Sequence, residues 1–268
     1  MFYFKKLQTN LKSWVASMRV LITAGGSGIG YEIGKAFTDE GAEVWVTDID
    51  EAILGNCPKN WIVSNIDASS ELEVKRLFSD LESRWGGIDV LCCNAGIAGP
   101  TALVEDIVLD DWQRCMSVNV EGAFLASKHC VPLMKRQRTG KIILISSTAG
   151  LYGFPYRAPY ASAKWAILGL MKTLAMELGP YGICVNAICP GAVEGRRMNA
   201  VITREAAAKN VTEDTIRSGY ASGTSLRTFV SPQDVANMAV FLSSPGAQRV
   251  TGQIITVDGH TVNPDPQV

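Results

Sequence analysis

Histidine is almost missing from this chain. His129 and His260 are its two copies, too few and too far apart for a histidine-rich metal site or an obvious triad. Charge of one sign is missing as well: 25 basic residues face 26 acidic ones, for a formal net charge of −1. That balance excludes bulk electrostatic binding to nucleic acid or to an anionic membrane. No apolar run approaches the ~20 residues a bilayer-spanning helix needs. The seven cysteines form no CxxC pair, and most sit in apolar strand or helix patterns. They read as buried free thiols in a reducing compartment, the cytoplasm, rather than as disulfides or metal ligands. No linker, repeat or low-complexity tract divides the 268 residues. The first 17 residues lack acidic side chains and arginine, and they lack the apolar core of a secretory signal. They read as an upstream extension or as vector-derived residues, and the domain begins at Met18.

What the chain does have is nearly half hydrophobic residues, arranged in alternating strand and helix patterns. Strands are expected at 19–23, 43–47, 61–65, 88–93, 141–146, 183–189 and 253–257. Helical patterns lie between them, and the helix from Ala158 to Leu178 is long and apolar. This alternation predicts an α/β class: a doubly wound parallel sheet of Rossmann type, in one domain of 18–260 with a polar tail at 261–268. The polar, helix-prone stretch 195–220 interrupts the pattern and reads as a lid over a site.

Ligands on such sheets bind beyond the carboxyl ends of the strands. Several unusual residues fall at those ends. The turn Ala24-Gly25-Gly26-Ser27-Gly28-Ile29-Gly30 joins the first strand to the first helix. Glycines let a backbone approach a pyrophosphate, and a helix N-terminus offers free amides and a positive dipole end. Asp48, followed by Ile49, ends the second strand, about 20 residues on. A carboxylate there accepts hydrogen bonds from an adenosine ribose and repels a 2′-phosphate, which favours NAD over NADP. Asp67, Asn94-Ala95-Gly96 and Pro190-Gly191 end further strands. Asn119 stands inside a helical pattern, where asparagine is slightly unfavourable and implies a bound water or a helix irregularity.

The segment SSTAGLYGFPYRAPYASAK, from Ser146 to Lys164, carries the chemistry. Tyr160 and Lys164 are four apart and share one helix face. An unperturbed phenol titrates near ~10, so working near pH 7 requires roughly 4 kcal/mol of help. A unit charge about 4 Å away, at an effective dielectric near 20, supplies about that much. Ser147, at the end of a buried strand, can steady the oxygen of an alcohol or carbonyl.

Taken together, TAGGSGIG (23–30), NAG (94–96), Asn119, Ser147, YASAK (160–164) and PG (190–191) resemble the short-chain dehydrogenase/reductase family over about 18–260. The resemblance implies a nicotinamide cofactor, usually a homotetramer, sometimes a homodimer, and a catalytic tetrad of Asn119, Ser147, Tyr160 and Lys164. By the same resemblance Lys164 bonds the nicotinamide ribose and Asn119 holds a water. The sequence departs from the family at two places. Ala24 stands where the first glycine of TGxxxGxG is expected, which requires Ala24 to keep a negative φ. Gly195 stands where a threonine often contacts the nicotinamide amide, leaving the backbone of Val193 to do so.

The expected activity is hydride transfer between NAD(H) and a secondary alcohol or ketone. Arg157 and Arg196, near the tyrosine and at the root of the lid, suggest a hydroxy acid or sugar-derived acid, since arginine forks suit carboxylates. The alternatives are reduction of a 3-oxoacyl thioester or another ketone, and a non-catalytic NAD-binding regulatory protein.

Overall fold

The computed structural model describes residues 18–263. The expectations for residues 1–17 and for 264–268 lie outside the described residues. Among the described residues, seven strands form one parallel sheet. They are β1 (Arg19–Ile22), β2 (Glu43–Asp48), β3 (Ile62–Asn65), β4 (Val90–Cys93), β5 (Gly140–Ile145), β6 (Ile183–Pro190) and β7 (Ile254–Val257). Their order across the sheet is β3-β2-β1-β4-β5-β6-β7, each neighbour parallel. The order reverses between β1 and β4, which opens the crevice where such sheets take ligands.

The helices, in chain order, are α1 (Gly28–Asp39), α2 (Glu51–Leu54), α3 (Glu71–Trp85), α4 (Leu109–Met116), α5 (Gly122–Gln137), α6 (Ala158–Leu178), α7 (Arg196–Lys209), α8 (Glu213–Ser222) and α9 (Pro232–Ser243). Successive strand residues point to opposite faces. Leu21 of β1 therefore joins one core with Phe78 of α3, Met134 of α5 and Met171 of α6. Val20 and Ile22 join the other with Phe37 of α1 and Val235 of α9. Because both faces are covered, the strands read as continuous apolar runs.

Local chemistry explains the helix boundaries. The Ser70 hydroxyl accepts the N–H of Glu73 at the start of α3, and Gly86 ends that helix in the left-handed region at φ 67°. Ser231 and Asp234 form a capping box on α9. Asp50 caps the one-turn α2, which is too short to register as a helical period in the sequence. Thr261 is buried, and the N–H of Val262 donates to Gly223, so 261–263 is tied to the domain rather than trailing from it.

The conformation of Ala24 corrects the expectation of a negative φ. Its φ is +50°, in the left-handed region. Side-chain bonds hold the turn there. Asn94 Nδ2 donates to the carbonyls of Thr23 and Ala24 at 3.1 and 2.9 Å, and Thr23 Oγ1 accepts the N–H groups of Asn94 and Ala95. Packing at the end of β4 thus overrides the local cost of a methyl group at positive φ.

Candidate active site

The strand ends and the α7–α8 segment enclose a cleft of about 760 Å³. One end is the glycine turn. A Cβ on Gly25 would lie 2.7 Å from Val46 Cγ1, and one on Gly30 would lie 2.5 Å from Asn94 Nδ2. Gly28, at φ +54°, has nothing within 4 Å of the place a Cβ would occupy. Ser27 precedes α1 and its hydroxyl makes no capping bond. The first turn of α1 therefore presents backbone N–H groups and a hydroxyl to open space, which fits a pyrophosphate.

Asp48 stands beside this turn, nearly buried. Its Oδ1 accepts the N–H of Asp50, and its Oδ2 lies toward Gly26, 3.1 Å from where a Cβ would be. Ile49 and Ile53 line the cleft next to it, an apolar shelf beside a carboxylate. Asp67 also lines the cleft, but its carboxylate is engaged: Oδ1 accepts the N–H and hydroxyl of Ser69, and Oδ2 faces Arg114 at 3.6 Å. Burial pushes the Asp67 carboxyl up, but the Ser69 hydrogen bonds and Arg114 outweigh it and hold it below the ordinary range. Asn94, Ala95 and Gly96 line the cleft, while the Asn94 amide serves to lock the glycine turn.

At the other strand ends, Gly191 packs so closely on Asp258 that a Cβ would come within 2.9 Å of Asp258 Cβ. Val193 bridges Val230. The bridge uses the Ala192 carbonyl and the Glu194 N–H, so the backbone groups of Val193 itself point to the opposite side.

Ser147, Tyr160 and Lys164 line the cleft, and Asn119 lies buried beneath its surface, beside Gly96. Residues 117–121 form a π turn between α4 and α5, the irregularity that Asn119 announced. Asn119 is 1 % exposed. Its Nδ2 donates to the carbonyls of Cys115 and Ile97 at 2.9 and 3.0 Å, while its buried Oδ1 makes no hydrogen bond within the described residues. A buried acceptor left open in this way is a seat for a water. Lys164 is 3 % exposed, and its Nζ donates to the Ile145 carbonyl at 2.9 Å. Both groups converge on Gly96, where a Cβ would lie 2.5 Å from Asn119 Oδ1 and 3.4 Å from Lys164 Nζ. Ser147 closes β5 in extended backbone, and its Oγ accepts the N–H of Ala149.

Tyr160 is ringed by three cations. Arg157, Lys164 and Arg197 place their charged ends 4.8, 5.6 and 5.7 Å from the centre of its ring. Burial pushes the phenol up, but Arg197, Lys164, Arg157 and the hydrogen bond with Ser147 together bring it below its ordinary value. Lys164 is itself lowered, since burial opposes its charge more than Tyr160 supports it. The lysine is therefore one of three cations that, with the Ser147 hydrogen bond, acidify the phenol.

The arginines differ from expectation in one respect. Arg157 and Arg196 both line the cleft, but Arg197 rather than Arg196 stacks on Tyr160. The seating of α7 makes the difference. Val201 is buried, and Arg197 lies four residues before it on the same face of α7, whereas Arg196 shares its face with the exposed Ala200.

A family model described as enoyl-(acyl carrier protein) reductase matches residues 23–260. The chain is 34% identical over 249 residues to a 3-oxoacyl-(acyl-carrier-protein) reductase of Thermotoga maritima, covering 90% of this chain and 96% of the relative. It is 29% identical over 249 residues to a D-beta-hydroxybutyrate dehydrogenase of Rhizobium meliloti, covering 89% and 96%. A solved structure of NAD+-bound xylitol dehydrogenase superposes with a TM-score of 0.87 at 26% identity, covering 90% of this chain and 97% of that one.

Proposed function

The chain belongs to the short-chain dehydrogenase/reductase family, and from that premise we propose that it transfers hydride between NAD(H) and a secondary alcohol or ketone through Ser147, Tyr160, Lys164 and Asn119. Two of its relatives are named for alcohol or ketone substrates, a D-beta-hydroxybutyrate dehydrogenase and a 3-oxoacyl-(acyl-carrier-protein) reductase. The observation that carries the residue assignment is the Tyr160 phenol, set between Ser147 and three cations on the floor of the cleft.

The cradle at Ser27–Gly30 would hold the cofactor pyrophosphate. Asp48 would accept the adenosine ribose hydroxyls, and Val193 would offer its backbone to the carboxamide. Asp48 also supports NAD over its 2′-phosphorylated form, because a carboxylate repels a phosphate. A nicotinamide bound there accepts the hydride in oxidation and returns it in reduction. Ser147 holds the substrate oxygen by a hydrogen bond. Tyr160, as phenolate, takes the proton from that oxygen during oxidation and gives it back during reduction. Lys164 keeps the phenolate charge compensated and reaches the ribose. Asn119 holds a water through Oδ1, which leads the proton away past Lys164.

Replacing Tyr160 by phenylalanine tests the assignment. NAD binding, measured by calorimetry, stays near wild type while alcohol oxidation is lost. Near-normal turnover in Y160F would remove the acid/base role. The runner-up, reduction of a 3-oxoacyl thioester, is favoured by the Thermotoga relative and requires turnover of a carrier-linked ketone.

Family membership supports a homotetramer, or a homodimer. Trp165 and Met176 of α6 are exposed, while Leu168 and Met171 of the same helix are buried in the core. Light scattering on the purified protein reads the mass. All seven cysteines are free, and burial raises the Cys93 thiol to about 12, in keeping with a reducing compartment, the cytoplasm. Among the described residues, no helix is long and apolar enough to cross a membrane.

A further inference from the structure

The cleft holds a buried guanidinium without a counter-ion. Arg157 is 8 % exposed. One nitrogen donates to the Ala98 carbonyl at 3.2 Å, and Nε makes no hydrogen bond. Among the described residues, no carboxylate lies in salt-bridge range of Arg157 or of Arg197. The acidic residues that line the cleft, Asp48, Asp67 and Glu194, make no such pair with them, and Asp67 is turned to Arg114. Glu205 bonds the Tyr220 hydroxyl and pairs with Lys209. Arg197 donates to the Gly96 carbonyl at 3.2 Å, with its guanidinium carbon 5.7 Å from the centre of the Tyr160 ring.

An uncompensated buried cation is costly and rarely kept without a partner. The Tyr160 oxygen, when ionised, supplies one negative charge. Lys164, Arg157 and Arg197 supply three positive ones around it. One phenolate balances one of these three charges, so the buried Arg157 and the exposed Arg197 leave positive charge in excess around the phenol ring. Arginine presents a rigid fork of donors that matches a carboxylate.

We propose that Arg157 and Arg197 form an anion subsite next to Tyr160, and that the substrate is a small hydroxy acid, or the matching keto acid in reverse, whose carboxylate both arginines hold. The proposal rests on the hydride-transfer reading of the same site and adds the substrate class to it. It assigns the lid a recognition role, since Arg197 belongs to α7 and brings its charge to the cleft only when α7 is seated there. Arg196 is left outside the pair.

Two measurements test it. In the first, the NAD-loaded protein is titrated calorimetrically with acetate, propionate and butyrate, each against its neutral amide. The expected result is a preference of about 10- to 100-fold for the anion in at least one pair. That preference is lost in R197Q and in R157Q, while NAD affinity is unchanged. If R157Q does not fold, the wild-type pairs and R197Q carry the test. Amides that bind as well as the anions overturn the subsite. In the second, short 2- and 3-hydroxy acids are compared as substrates with their methyl esters. Acids with the higher kcat/KM support the proposal. Esters oxidised as well as the acids overturn the substrate class alone and leave hydride transfer standing. Turnover of neither kind, with anions still bound, overturns the hydride-transfer reading and the substrate class with it.

Discussion

The guanidinium carbon of Arg197 lies 5.7 Å from the centre of the Tyr160 ring, although the two residues belong to helices separated by the whole of β6. A cation at this position favours the phenolate, so its removal raises the tyrosine pKa toward the ordinary value near ~10. Below that pKa the reactive phenolate falls about tenfold for each unit of upward shift. In R197Q the rise of kcat/KM for oxidation with pH is therefore displaced to the alkaline side, and activity at pH 7 drops. A neutral alcohol should be used, so that loss of a carboxylate contact does not enter. A pH profile that superposes on wild type would show that Arg197 does not act on Tyr160.

Asn119 has two tasks that separate experimentally. Its Nδ2 satisfies the carbonyls of Cys115 and Ile97, and its Oδ1 is left open toward Lys164. N119A removes the amide donor to the Cys115 carbonyl and to the half-buried Ile97 carbonyl. Urea denaturation should show a loss of about 1–3 kcal/mol. Turnover should fall further than this loss of stability explains, under conditions where the variant is fully folded.

Ala24 is an unusual residue for its backbone. At φ +50° an alanine bears a cost that glycine does not, partly offset by the greater freedom glycine has in the unfolded chain. A24G is expected to stabilise the fold by about 1 kcal/mol, raising the thermal midpoint, with NAD affinity equal or improved. A clear fall in midpoint would mean that the methyl group makes a packing contact worth more than the backbone cost.

The proposed preference for NAD rests on Asp48. D48S removes both the ribose acceptor and the repulsion of a 2′-phosphate. The ratio of kcat/KM for NAD to that for NADP should fall by about 10- to 100-fold, with the dissociation constant for NAD rising in step. An unchanged ratio would assign the choice to other groups.

Gly96 provides a test that removes no charged group, although a Cβ there also comes within 3.4 Å of Lys164 Nζ. A methyl group there meets Asn119 Oδ1 at 2.5 Å. G96A should retain the fold, as followed by circular dichroism, and lose turnover, because the Asn119 amide must move to make room.

Much of this molecule was legible before folding. The apolar runs specify strands buried on both faces, and their alternation with helical periods specifies a parallel sheet. Those are short-range properties: a side chain's hydrophobicity and its position in a period of two or 3.6. The pairing of Tyr160 with Lys164 belongs to the same class, since four residues on a helix always share a face. The anomaly of Asn119 also pointed to the π turn.

Other features depended on distant parts of the chain meeting. Ala24 was expected at negative φ, and the Asn94 amide, some 70 residues away in sequence, holds it at positive φ instead. Arg196 and Arg197 are neighbours of one composition, and only the seating of α7, with Val201 turned inward, selects Arg197 for the phenol. That Arg157 is buried with no acid beside it is likewise a property of the assembled cleft. Residue type and spacing determined which chemistry this chain carries. Long-range packing decided which charges surround it, because electrostatic effects depend on distances in space and on burial, and neither is encoded in local spacing.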